Sequence, residues 1–236
     1  MKLVLVANSA GGVGKTTSAL AITVAATEYG KKSLLIDADS RAGLTFICGV
    51  ENPRVTTKEF MQNEFSVDSA IVKTSERFSL IPASTRLAML DSEKLIAAAD
   101  FQEKVRDFDL VVIDTASSFN DLFIYFAAIA DLALIPSTTE ILSIRGALQA
   151  KDFLRQAQPE KNPLLILTKS EGDVEPEFLT LISGDFEYLE PAVRKDQAVE
   201  VSQSTGKSFL TTANQSGVAA DYREITYSIL EKLELI

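Results

Sequence analysis

The sequence predicts a doubly wound α/β architecture: one mostly parallel sheet with helices on both faces, formed as a single domain over residues 1–236. Three observations predict it. Short apolar runs alternate with longer helical patterns from end to end. Several of these runs are apolar at consecutive positions, as strands covered on both faces require. No linker, low-complexity tract or internal repeat interrupts the alternation, which implies right-handed crossovers between parallel strands.

The elements follow in order. Strands are expected at 3–7, 33–37, 78–82, 110–114, 132–136 and 164–168, each a short apolar run. Helices are expected at 15–29, 92–106, 121–130, 141–157, 175–182, 195–204 and 218–233. Residues 49–74 carry neither period and are expected as an excursion of loop and short helix.

Composition bounds the chemistry. Apolar residues make up 46% and charged residues 24%, an ordinary globular balance. The formal net charge of −10 disfavours a uniformly basic surface, so nucleic-acid binding would need a local patch. With no histidine, Ser-His-Asp catalysis and histidine zinc sites are excluded. The single cysteine, Cys48, excludes an internal disulfide or a cysteine cluster within one chain. No apolar run reaches the roughly 18 residues of a membrane span, and the first apolar run is too short for a signal peptide. A cytoplasmic protein with no membrane partner is expected.

Between the first strand and first helix stands Asn8-Ser9-Ala10-Gly11-Gly12-Val13-Gly14-Lys15-Thr16-Thr17. Glycines let backbone N–H groups curl around phosphates, and the helix N-terminus adds a positive dipole. In such a loop Lys15 reaches the β- and γ-phosphates and the Thr16 hydroxyl ligates Mg²⁺. Ser9 occupies the place of the usual first glycine, and the Gly11-Gly12 pair supplies the flexibility instead. Two acidic strand ends fit the same site: Asp37 and Asp39 after the second strand, and Asp114 after the run Leu110-Val111-Val112-Ile113. Ligands of open α/β sheets bind at the carboxyl ends of strands, where such groups can hold Mg²⁺ through water. Taken alone, each Asp could equally be a helix N-cap.

These motifs, with Ala130-Asp131-Leu132-Ala133-Leu134-Ile135-Pro136 and Glu190-Pro191-Ala192-Val193-Arg194, resemble the deviant-Walker ATPases of the ParA/MinD family over most of the chain. The resemblance implies ATP and Mg²⁺ as cofactors, with a phosphate loop formed by Gly11, Gly12, Val13, Gly14, Lys15, Thr16 and Thr17. It implies Asp39 as the residue needed for hydrolysis, beside Lys15. It further implies Thr16, Asp39 and Asp114 as the metal group, and Pro191 at the adenine. It also implies a homodimer sandwiching two ATP molecules. The signature lysine that the family carries before the Gly-Gly pair is here Ala10, and Asp39-Ser40-Arg41 replaces the usual Asp-Pro-Gln. These departures most resemble the McdA-type subgroup, which spaces carboxysomes over the nucleoid.

The partners so implied are non-specific duplex DNA and a cargo adaptor, McdB-like, or ParB-like if the chain is a partition ATPase. A MinD-like membrane regulator would need a basic amphipathic C-terminal helix, whereas the last segment carries Glu231 and Glu234. A dethiobiotin-synthetase-like ligase remains open, while a nitrogenase-type reductase lacks its cysteines. For DNA the candidates are Arg194, Lys195, Lys207 and Arg223, which could equally be ordinary solvated charge. To replace the missing lysine, Lys151 is the first candidate, because it shares a helical face with Ile144 and Leu148. Arg145 and Arg41 are the alternatives, and Lys151 could instead simply extend to water from that face.

Overall fold

A computed structural model describes all residues 1–236. Eight strands form one sheet: β1 (Lys2–Val6), β2 (Ser33–Ala38), β3 (Val72–Lys73), β4 (Ser79–Ile81), β5 (Leu110–Thr115), β6 (Leu132–Ser137), β7 (Leu164–Leu167) and β8 (Glu187–Leu189). Their spatial order is β3-β4-β2-β5-β1-β6-β7-β8. Every pairing is parallel except that of β3 with β4. The doubly wound sheet expected from the apolar runs is therefore the one observed.

The helices are α1 (Lys15–Glu28), α2 (Gly43–Ile47), α3 (Thr57–Met61), α4 (Val67–Ala70), α5 (Ala98–Val105), α6 (Asp121–Ile129), α7 (Ile141–Ala157), α8 (Pro176–Ser183), α9 (Gln197–Ser202), α10 (Phe209–Thr212) and α11 (Gly217–Lys232). They cover both faces. Leu3 and Leu5 point into a core of 31 buried residues that includes Phe101 and Phe126, while Val4 and Val6 point into one of 29 that includes Ile22 and Tyr222. The near-equal sizes explain why the central strands read as unbroken apolar runs: neither face is available to water. In the second core α1 lies between the sheet and α11, where Ser18 and Tyr222 share a hydrogen bond of 2.9 Å.

One expected helix is corrected. Residues 92–106 do not form a continuous helix but a 3₁₀ turn, Ser92–Lys94, followed by α5. The Asp91 carboxylate accepts from the Glu93 N–H and caps the turn, and Ile96 then donates its N–H to the Met61 carbonyl at 2.7 Å. Burial of Ile96 against the core takes its backbone out of any helix ladder. The expected helix at 195–204 is shortened to α9, because Asp196 caps it through the Ala198 N–H. The excursion at 49–74 holds α3, α4 and β3; α3 opens with a capping box between Thr56 and Glu59. Strands β3 and β8 and helix α10 have two to four residues each, too few to show a period.

The topology fixes the site. β1 sits between β5 and β6, and the chain leaves it toward β2 on one side and later toward β6 on the other. The order of winding reverses there, so the carboxyl ends of β1, β5 and β2 face one crevice. In register, Val6 lies opposite Asp114, and Asp114 lies opposite Asp37.

Candidate functional site

The loop between β1 and α1 turns through two left-handed glycines, Gly12 at φ 74° and Gly14 at φ 89°. Gly14 is the N-cap of α1 and has no side chain to offer the first turn. The leading N–H groups of α1 are thus left for an anion. The loop is braced from outside: the Thr168 hydroxyl donates to the Val13 carbonyl at 2.9 Å, and the Lys169 ammonium to the Gly12 carbonyl at 2.7 Å. Asn8 holds the other flank, accepting from the Ala10 N–H at 2.8 Å and donating to the Pro136 carbonyl at 2.8 Å.

Lys15 is buried, and its ammonium donates to the Ala10 carbonyl and the Ser117 hydroxyl, both at 2.9 Å. Burial pulls its pKa below the usual lysine range, and the nearby charge of Arg41 acts in the same direction, while Asp114 opposes. Asp114 is almost wholly buried. Burial and the adjacent Asp37 push its carboxyl up to about 8, against the pull of Thr16 and Lys15. One of its oxygens, Oδ1, is buried with no hydrogen-bond partner. A buried carboxylate oxygen left without a donor is costly. Beside the Thr16 hydroxyl and an opening for phosphates, it fits a hydrated divalent cation.

The two other acids divide their roles. Asp37, raised to about 6 by burial, accepts from the Thr45 hydroxyl at 2.7 Å, the Thr45 N–H at 2.9 Å and the Asp39 N–H at 3.1 Å. Its lone pairs are committed to tying α2 to β2. Asp39 instead meets Arg41: the guanidinium donates from Nη2 at 2.6 Å and Nε at 3.0 Å to Oδ2, and the Arg41 N–H to Oδ1 at 2.9 Å. Burial acts to raise the Asp39 pKa, but the hydrogen bonds and charge of Arg41, with Lys15, hold it below the ordinary value.

Gly12, Gly14, Lys15, Thr16, Thr17 and Asp39 line a crevice of about 410 Å³ together with Arg41, Ser117, Thr168 and Lys169. Val193, Arg194, Lys195 and Asp196 line it as well. Gly11, Gly12 and Val13 also border a second cleft on the other side of the loop, together with Leu142 and Arg145. Pro191 lines a neighbouring hollow that shares Arg194 with the crevice. Sequence reasoning missed Ser117, Thr168 and Lys169. Thr168 ended an expected strand, so the rule that ligands meet strand carboxyl ends could have found that pair.

Two expectations are corrected. Lys151 does not present a free ammonium: it is buried, ion-paired with Asp185, and its Nζ lies 5.6 Å from the Phe186 ring centroid. The chain between α8 and β8 carries Asp185 and covers the face expected to be open. Nor do Arg194, Lys195 and Arg223 form a free basic patch. Arg194 is forked onto the buried Asp221, Lys195 pairs with Glu171 at 2.6 Å, and Arg223 pairs with Glu28 at 2.6 Å. Of the four DNA candidates, only the exposed Lys207 has no carboxylate partner.

Residues 1–167 match the model of a family described as an AAA domain, and the chain belongs to that family. It is 28% identical over 250 aligned positions to a ParA family protein of Chlamydia pneumoniae, with 98% of each chain covered. Among solved structures it is similar to cobyrinic acid a,c-diamide synthase from Mycobacterium smegmatis with bound ADP and magnesium, at TM-score 0.80 and 25% identity over 99% of this chain and 96% of that one. It shares the fold of apo McdA from Cyanthece at TM-score 0.82 and 18% identity, over 97% of this chain and 99% of that one. Other curated relatives are longer, and the matches span 60%, 55% and 55% of their lengths. Family match, fold and loop together give the chain a P-loop ATPase fold of the ParA/MinD type.

Proposed function

We propose that this ParA/MinD-type ATPase hydrolyses ATP to ADP and phosphate with Mg²⁺, residues 1–236 acting as one domain, and that its ATP-bound homodimer positions a cargo along DNA. The observation that carries the catalytic part is the orphaned Asp114 Oδ1, on a carboxyl that meets Thr16 and lies near Lys15. The free N–H groups of α1 bind phosphate oxygens, and Lys15 moves from the Ala10 carbonyl onto the β- and γ-phosphates. When bound, Mg²⁺ neutralises phosphate charge, and Thr16 and Asp114 would hold it, Asp114 through water. Asp39 orients the attacking water, a positioning role of the kind that dominates phosphoryl transfer.

Support for the dimer comes from the loop's outer flank. Ile141 and Leu142, at the start of α7, are 83% and 70% exposed, and Leu142 shares the second cleft with Gly11 and Gly12. Apolar side chains beside a phosphate loop fit burial by a second copy across the nucleotide. Since three of the four DNA candidates are ion-paired, the reading places DNA binding on the assembled dimer rather than on the monomer. The cargo read from the McdA-like departures is the carboxysome, over the nucleoid, with an McdB-like adaptor. The alternative is a plasmid or chromosome with a ParB-like adaptor, favoured by the full-length likeness to a ParA family protein.

The test is binding to duplex DNA of arbitrary sequence with ATP, with ADP and with neither, across a salt series. Binding with ATP alone, falling with a log–log slope of about −0.9 per phosphate neutralised, supports the cycle. Equal binding in all states, or ATP turnover stimulated by a small substrate and never by DNA, contradicts it and favours a metabolic ligase such as the dethiobiotin-synthetase type.

A further inference from the structure

In the arrangement observed Arg41 competes with water for Asp39. Both carboxylate oxygens accept from Arg41, through its fork and its backbone N–H. Burial does not hold Arg41 in place: its side chain is 70% exposed, against 12% for Asp39.

Among the cations around the crevice, Arg41 is the one paired with Asp39, the residue assigned to orient water. Lys15 is buried and held by two hydrogen bonds. Lys169 braces the Gly12 carbonyl, Arg194 is forked onto a nearly buried Asp221, and Lys195 is paired with Glu171. Arg41 sits on a tight turn closed by the Ala42 N–H to the Asp39 carbonyl at 2.9 Å, and that turn is strained. Ala42 lies in the left-handed region at φ 53°, which an L-residue with a Cβ adopts at a cost. Release of the turn would relieve the strain.

We propose that Arg41 senses the terminal phosphate of the bound nucleotide: it leaves Asp39 for the γ-phosphate and so frees Asp39 to orient water. The inference rests on the ATPase reading above. A planar guanidinium fork matches phosphate as well as carboxylate, and a terminal phosphate carries more charge than Asp39. Because the guanidinium end of the pair is open to solvent, Arg41 can turn to a phosphate without unpacking the core. ADP offers no γ-phosphate, so with ADP the Arg41–Asp39 pair persists and the site stays inactive. The exchange is one of hydrogen bonds only; no covalent bond changes.

The test is calorimetric titration of the wild type, Arg41→Ala and Arg41→Lys with Mg²⁺ and either ADP or the non-hydrolysable analogue AMPPNP. Arg41→Ala should bind ADP within about twofold of the wild type and AMPPNP at least about tenfold more weakly, the scale of one charge-assisted contact. Arg41→Lys, a point charge without a fork, should restore only part of the loss. Equal affinity changes for both nucleotides, or none, overturn the sensing role while leaving the ATPase reading intact. A wild type that binds neither nucleotide overturns that reading instead. Unfolding of the nucleotide-free variants at the wild-type midpoint shows that the fold is unaltered.

Discussion

Substituting Gly146 by alanine sets two physical effects against each other. In the interior of a helix the change ordinarily stabilises by about 0.5–1 kcal/mol, because alanine loses less backbone freedom on folding. Here a Cβ at position 146 would stand 2.5 Å from Asn8 Oδ1, 2.7 Å from the Ala10 N and 2.9 Å from the Ala10 Cβ. None of these neighbours can easily yield. Asn8 is fixed by the Ala10 N–H and the Pro136 carbonyl, and the Ala10 carbonyl in turn receives Lys15. Overpacking of this kind costs about 1–3 kcal/mol, so the expected net effect is a loss of up to about 2.5 kcal/mol. Displacement of the loop should weaken nucleotide binding by about fivefold or more. Urea unfolding and titration with Mg-ADP measure the two quantities. Gly184→Ala is the control, since φ is −72° there and no atom lies near the added carbon. A more stable Gly146→Ala with unchanged affinity would refute the close seating of α7 on the phosphate loop.

Two further outcomes follow from buried charge. The folded protein holds a proton on Asp114 up to about pH 8, whereas the unfolded chain releases it near pH 4. Stability of the nucleotide-free protein therefore falls as pH rises through that window. Asp114→Asn should be the more stable form at pH 8, with the advantage vanishing below about pH 4 in thermal unfolding. A constant difference across that range would show that Asp114 titrates normally. Lys151→Ala should lose about 1–3 kcal/mol by removing a buried side chain from Asp185 and Phe186. Nucleotide-dependent dimerisation, followed by light scattering, should survive. Loss of the dimer in a variant of wild-type stability would return Lys151 to the interface.

The fold was legible because its signal is redundant. Leu3-Val4-Leu5-Val6 and Leu110-Val111-Val112-Ile113 are apolar on both faces, and only a covered sheet explains that. The phosphate loop was legible because glycines, lysine and threonine must occur at fixed spacing. What the sequence hid depends on pairs far apart along the chain. Lys151 looked free until Asp185, 34 residues on, was brought over it. Arg194 and Asp221 are 27 residues apart, and nothing local marks them as partners. The split at 92–106 was equally hidden, since a helical pattern gives no sign that Ile96 would donate to Met61 instead.

The central claim, that Lys15, Asp39 and Asp114 form a working ATPase, is tested most directly by phosphate release from ATP in the presence of Mg²⁺. The wild type should release phosphate in repeated turnovers. Lys15→Ala should neither bind nor hydrolyse, and Asp39→Ala should bind ATP with near-wild-type affinity and release none. Wild-type turnover by Asp39→Ala would contradict the account by showing that another group orients the water, and a wild type that binds ATP without hydrolysing it would contradict it outright.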